Sequence, residues 1–154
     1  SYTIKKLEKI GLFFSHFFIL RPTSPFRTAS TILKAWKQFK RHKKADSLRA
    51  VEICKQHPGK MWLKSKKFIK PFFPGKKYNQ PYYNLQFQSL PKILVQNASL
   101  EISKVKVLSL YKSITGKKII PFYTTGIEGF DINYQYDLDY GNFLVRKNKI
   151  RIKK

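Results

Sequence analysis

The chain has 154 residues, 42% of them hydrophobic and 16% aromatic, enough apolar material for one packed domain and unlike a disordered tail. A single cysteine, Cys54, and three scattered histidines exclude an internal disulfide and a four-ligand zinc centre. The 32 Lys and Arg against 8 Asp and Glu give a net charge of +24, which attracts polyanions, although the basic residues are dispersed apart from the dense stretch Trp62 to Lys77.

In chain order, Ile4 to Ile10 is a basic, partly amphipathic stretch that reads as the end of a helix. The longest apolar run, Gly11 to Leu20, is broken by Ser15 and His16 and falls short of the roughly 20 residues a bilayer span needs. No small-residue cleavage site follows it, so neither a membrane anchor nor export is expected, and the reading is cytoplasmic. His16 to Leu20 fits a buried strand stopped by Arg21-Pro22, and Thr23-Ser24-Pro25 has turn composition. A helix follows, capped by Thr28 or Ser30, with Ile32, Leu33, Trp36 and Phe39 as its apolar stripe and Lys40 to Lys44 at its carboxyl end. Ala45 to Cys54, entered through Asp46-Ser47, reads as a second strand. Strand, helix, strand predicts a βαβ unit and a parallel sheet.

Pro, Gly, Lys and aromatic residues without clear period fill His57 to Tyr83, so residues 57–97 are expected to form an arm or excursion from the sheet. A strand around Ala98 to Ile102, a short helix over Val105 to Lys112, a strand at Lys118 to Tyr123 and a loop at Thr124 to Glu128 come next. Asp137 can cap a last helix over Leu138 to Arg146, and residues 147–154 form a basic tail. There is no internal repeat and no clean boundary, so residues 1–154 are expected to be one domain.

Three stretches carry chemistry. Leu20-Arg21-Pro22-Thr23-Ser24-Pro25-Phe26-Arg27 directly follows a strand, and α/β sheets bind ligands at the carboxyl ends of their strands. Its two hydroxyls and two guanidiniums suit an anion, while its two prolines equally suit a rigid connecting turn. Glu128-Gly129-Phe130-Asp131-Ile132-Asn133 places Asp131 and Asn133 two apart, on one face if extended, where two oxygens suit a hard cation such as Mg²⁺. An Asx-type turn is the structural alternative, and Asp137 reads as a cap alone. The third stretch contains Lys60-Met61-Trp62, Gln86-Phe87-Gln88-Ser89-Leu90-Pro91 and Asn97-Ala98-Ser99. There Met61 and Trp62 read as packing residues.

The order and spacing of these stretches, from about Phe18 to Tyr140, resemble the acylneuraminate cytidylyltransferase (CMP-sialic acid synthetase) family. Leu20 to Arg27 is similar to its Leu-Gln-Pro-Thr-Ser-Pro-Leu-Arg signature, with Arg21 in place of the sugar-facing Gln. Asp131-Ile132-Asn133 is similar to its Asp-Ile-Asp or Asp-Ile-Asn stretch. Phe87 and Ala98 stand where the family has Arg and Gly.

The resemblance implies a Rossmann-like nucleotide-sugar transferase layer with a mostly parallel sheet and a dimerisation arm. It implies transfer of CMP from CTP to a sialic-type (nonulosonic) keto-sugar acid, with release of pyrophosphate. Asp131 would be the catalytic metal ligand, with Asn133 as second Mg²⁺ ligand. Arg21, Thr23, Ser24, Arg27, Lys60, Gln88 and Asn97 would bind substrate, some of them in the partner subunit of a homodimer. The family's Gly-rich basic triphosphate loop has no counterpart before Phe18, where Gly11 is the only glycine. The expectation is a partial domain lacking its first strand or strands and showing little transfer on its own. A basic nucleic-acid-binding module, using Trp62 to Tyr83, and a catalytically dead family remnant are the alternatives; nucleic acid is otherwise expected to bind only nonspecifically.

Overall fold

The computed structural model describes residues 2–147; of the expected basic tail, residues 148–154 lie outside the described residues. Among the described residues, twelve regular helices and strands run, in order, α1 (Tyr2–Lys9), β1 (His16–Ile19), α2 (Ala29–Arg41), β2 (Ser47–Ile53), β3 (Trp62–Ser65), β4 (Phe68–Pro71), β5 (Lys76–Lys77), β6 (Gln80–Pro81), β7 (Leu94–Lys104), α3 (Lys106–Tyr111), β8 (Ile119–Tyr123) and α4 (Gln135–Arg146). The backbone folds as two compact units. Of the described residues, 2–52 and 96–147 form the first, and Ile53–Val95 the second.

The first unit is built on a four-stranded sheet in the order β1-β7-β2-β8. Strands β2 and β8 pair in parallel, with Leu48 opposite Ile120 and Ala50 opposite Phe122. Strands β1 and β7 pair antiparallel, with Phe18 opposite Ile102. The sheet is therefore mixed, and β7 lies between β1 and β2. Burial accounts for this. Leu100 and Ile102 are fully buried and pack with Leu48, Ala50 and Phe122, so the strand with the most enclosed apolar face takes an interior place. Pro121, which has no N–H to offer a ladder, sits in β8 at the sheet's edge.

Helix α2 covers this apolar face. Thr28 caps it, its hydroxyl accepting from the Thr31 N–H at 3.1 Å in a reciprocal box with the Thr31 side chain. Its buried line is Thr31, Ala35 and Phe39, at i, i+4, i+8. Trp36 flanks that line against His16 and Phe18 of β1, with ring centroids 5.1 and 5.5 Å away. Leu33, expected in the stripe, is 58% exposed, because the stripe turns toward Ala35 rather than Leu33.

The opposite sheet face is polar and still buried. Strand alternation puts Ser99, Glu101 and Ser103 of β7 and Ser47 and Arg49 of β2 there, all with less than a tenth of their surface exposed. Backbone after α3 lies against this face: the Ser103 hydroxyl donates to the Ile114 carbonyl and Arg49 donates to the Thr115 hydroxyl. Gly116 makes that close approach possible. Its φ is +73°, and a Cβ there would lie 2.5 Å from the Cβ of Asp46. Asp46 in turn accepts the N–H groups of Lys117 and Lys118 at 2.9 and 3.0 Å. Those two hydrogen bonds, the Lys118 one first, hold its carboxyl below the usual aspartate range.

The second unit is made of two small antiparallel hairpins, β3–β4 and β5–β6, with short 3₁₀ turns. His57 is its buried polar centre, accepting from the Gly59 N–H at 2.9 Å, with its other ring nitrogen 3.0 Å from the Pro91 carbonyl oxygen. All four residues of β3 are exposed, and Phe68 is 79% exposed.

Candidate functional site

The two stretches singled out in the sequence meet in the first unit. The backbone N–H of Ile132, between Asp131 and Asn133, donates to the Thr23 carbonyl at 2.9 Å. In the same two segments the ring of Phe26, 6% exposed, packs at 5.4 Å from the ring of Phe130. The segment after β1 and the segment after β8 are thus held together by a backbone hydrogen bond and an aromatic pair.

The loop after β1 is fixed internally. Ser24 N–H donates to the Arg21 carbonyl at 3.3 Å, and Ser24 is 2% exposed. Arg27 spends its guanidinium on backbone, donating to the Arg21 carbonyl and to the Ser99 carbonyl of β7. Burial lowers the Arg27 pKa from its usual value. Arg21 forms an ion pair with Glu101, Nη1 to Oε1 at 2.8 Å, and Glu101 also pairs with Arg49. Arg21 keeps 41% of its side-chain surface exposed, while Glu101 keeps 2%. The Arg49 pKa is lowered first by burial and then by the neighbouring Arg21 charge.

Asp131 is half-buried. Its Oδ2 accepts from the Asn133 side-chain amide at 3.1 Å, so both side chains project to the same side. Its Oδ1 is buried with no hydrogen-bond partner. Asp137 accepts the N–H groups of Asn133 and Tyr134 at 3.0 and 2.9 Å. It is therefore the third residue of α4, closing the helix entry from inside; the helix starts at Gln135, ahead of the expected Leu138, because Tyr134 and not Asp137 occupies the cap.

Asn97 donates to the Thr124 hydroxyl at 2.8 Å, at the end of β8, and accepts the Ser99 N–H at 3.2 Å. Gly129 is packed into this group: a Cβ there would lie 2.6 Å from Asn97 Nδ2, 2.8 Å from Thr124 Oγ1 and 3.0 Å from Glu52 Oε2. Glu128 braces the same loop, accepting from the Thr31 hydroxyl at 2.5 Å and from the Thr125 N–H and hydroxyl at 3.0 and 2.9 Å. Burial pushes its carboxyl up, but these hydrogen bonds outweigh it and the net shift is downward. Lys60 and Gln88 belong to the second unit. Lys60 Nζ donates to the carbonyls of Tyr83, at 3.0 Å, and Leu85, and Gln88 is exposed in a 3₁₀ turn.

The structure thus brings together Arg21, Thr23, Ser24, Arg27, Asn97, Asp131 and Asn133 within one unit. Glu101, Arg49 and Glu52 were not singled out in the sequence, and Glu128 only as the start of its stretch. For Glu101 a signal was present, the alternation Asn97, Ser99, Glu101, Ser103 along one strand face. Among the described residues, no three His, Cys, Asp or Glu side chains group as a set that could hold a metal ion. A hard cation here would rest on Asp131 and on oxygens from Asn133, water or substrate; the partnerless, buried Oδ1 of Asp131 fits that role. No helix among the described residues is long and apolar enough to cross a membrane. No family model matches the chain, and no curated protein matches it.

Proposed function

We propose that this chain is part of a cytidylyltransferase of the CMP-sialic acid synthetase type, transferring CMP from CTP to a sialic-type keto-sugar acid and releasing pyrophosphate. The observation that carries the reading is the 2.9 Å hydrogen bond from Ile132 to Thr23, which joins the two stretches on which the resemblance rests. Strands of the mixed sheet feed both stretches, as a Rossmann-like layer would.

In this reading the Arg21 to Arg27 loop faces the sugar acid, presenting Arg21 and the Thr23 hydroxyl. Its internal ties to Ser99 and Glu101 pre-form the surface, so little ordering is needed when substrate arrives. Asp131 would hold Mg²⁺ through Oδ1, with Asn133 turning its amide oxygen to assist. Magnesium, when bound, neutralises phosphate charge and can favour ionisation of the attacking hydroxyl. Asp131 and the loop then set the α-phosphate against the anomeric hydroxyl; catalysis is mainly positioning and electrostatics. Lys60 and Gln88 would act across a homodimer, lent by the arm of the partner.

The test is pyrophosphate release from CTP with Mg²⁺ and N-acetylneuraminic acid. It uses a polypeptide in which a Gly-rich, Lys/Arg-bearing loop precedes residue 1. Transfer that falls at least roughly 10–100-fold in Asp131→Ala, with the fold intact, supports the reading. Transfer that ignores the substitution removes Asp131 from the site.

One observation favours a second reading. The unit Ile53–Val95 holds many lysines and not one acidic residue, with Trp62 and Phe68 exposed, as a single-stranded nucleic-acid surface would. Oligonucleotide binding that survives 200 mM salt would favour that module; binding that collapses steeply with salt reports bulk charge alone.

A further inference from the structure

The buried polar face of the sheet is out of charge balance. Two guanidiniums, Arg21 and Arg49, share a single carboxylate, Glu101, and a third, Arg27, donates to the Arg21 and Ser99 carbonyls. Among the described residues no other carboxylate lies within ion-pair distance of any of the three. Buried charge without a partner is costly, and protein interiors normally neutralise it or admit a counter-ion. Two hydroxyls of the same cluster, Ser24 and Ser99, are buried with no hydrogen-bond partner. Ser99 sits two residues before Glu101 on the same face of β7 and lends its carbonyl to Arg27. Ser24 folds back onto the Arg21 carbonyl. Positive charge therefore exceeds negative charge among these groups, and Arg21 keeps 41% of its side-chain surface exposed.

The arrangement also orients Arg21. Glu101 is held from its other side by Arg49, which is itself 8% exposed and tied to Thr115, so the carboxylate is a fixed anchor. Anchored through Nη1, the Arg21 guanidinium makes no hydrogen bond to a further group among the described residues. A guanidinium clamped on one carboxylate and open along another edge is suited to receiving a second carboxylate in fork geometry.

We propose that Arg21, oriented by Glu101, forms a carboxylate-binding position at the mouth of this cluster, and that Glu101 is its positioning residue. The ligand class is a small carboxylic acid whose acid group docks on Arg21 and offsets the surplus positive charge. That the acid belongs to a keto-sugar rests on the function proposed above; the existence of the carboxylate position does not.

The test uses the 154-residue chain, labelled with ¹⁵N, and follows the amide signals of Arg21, Ser24, Arg27 and Ser99. Three probes are titrated: acetate, N-acetylneuraminic acid and its methyl ester, in which the acid is blocked. The expected result is that the sugar acid shifts these signals saturably, with acetate weaker at the same signals, and that the ester binds at least 10-fold more weakly than the acid. Arg21→Gln should erase the difference between acid and ester, and Arg21→Lys, which keeps the charge but loses the fork, should restore only part of it. Glu101→Gln should weaken acid binding while Arg21 is still present, which a merely nonspecific charge effect would not produce. If the acid and ester bind alike, or bind without moving these signals, the carboxylate position is wrong although sugar binding stands. If acetate moves them and the sugar acid binds no better than acetate, the position stands and the proposed substrate falls. If no carboxylate moves them, the position is wrong.

Discussion

Glu101 offers the sharpest test of how the sheet is held together. It is 2% exposed, on β7, between two guanidiniums. Replacing it with alanine leaves Arg49, 8% exposed, as an unpaired buried charge, and frees Arg21. Breaking a buried pair in this way costs about 3–5 kcal/mol. Arg21 reaches water and relaxes cheaply, so the loss comes chiefly from Arg49. For a chain of this size each kcal/mol shifts Tm by about 2–4 °C, so Glu101→Ala should melt roughly 6–20 °C lower. Urea unfolding followed by Trp fluorescence measures the same loss as a lower midpoint at unchanged slope. The double variant Glu101→Leu/Arg49→Met removes both charges and should recover most of it, because apolar replacement of a buried pair is commonly neutral or better. A loss under about 1 kcal/mol for Glu101→Ala, or no recovery in the double variant, would show that the polar face is hydrated rather than closed.

Other expectations follow from single contacts. Asp137→Ala removes the acceptor for two N–H groups at the start of α4 and should cost about 1 kcal/mol in urea unfolding without altering ligand binding. Gly129→Ala must displace Asn97 or Thr124, so the 2.8 Å bond between them should be lost at a cost of about 1–3 kcal/mol, visible as shifted Asn97 side-chain amide signals. The depressed pKa of Asp46 gives stability that is present above the unfolded-state value of about 3.9 and is lost as pH falls through the folded-state value. Tm against pH should therefore drop less on acidification in Asp46→Asn than in the parent chain; equal slopes would remove Asp46 from the acid transition.

Much of this organisation is legible in the sequence, for reasons that also set its limits. The caps and periods that define α2 and the turn before it are local, and Thr28, Pro22 and Pro25 announce them directly. Strand order is not local. Alternation in β7 marks a strand, but only three-dimensional burial of Leu100 and Ile102 puts it between β1 and β2. The same alternation gives Ser99, Glu101 and Ser103 as a face that reads as solvated; Arg21 and Arg49, far away in sequence, are what allow that face to be buried. Arg27 illustrates the same limit at the candidate site. A basic residue in a ligand-facing loop reads as a substrate contact, yet its guanidinium is taken up by the carbonyls of Arg21 and Ser99. Asp131 and Asn133, two apart, could be read as a pair from spacing alone, whereas the Ile132–Thr23 bond and the Phe26–Phe130 pair join segments far apart in sequence.

The most direct test of the central claim is ³¹P NMR of CTP, Mg²⁺ and N-acetylneuraminic acid with the polypeptide that carries a triphosphate loop ahead of residue 1. A new CMP-sugar phosphodiester signal should grow in step with pyrophosphate and be lost in Asp131→Ala while the fold is kept. Pyrophosphate release without a CMP-sugar signal, or equal signal growth in the Asp131→Ala variant, would contradict it.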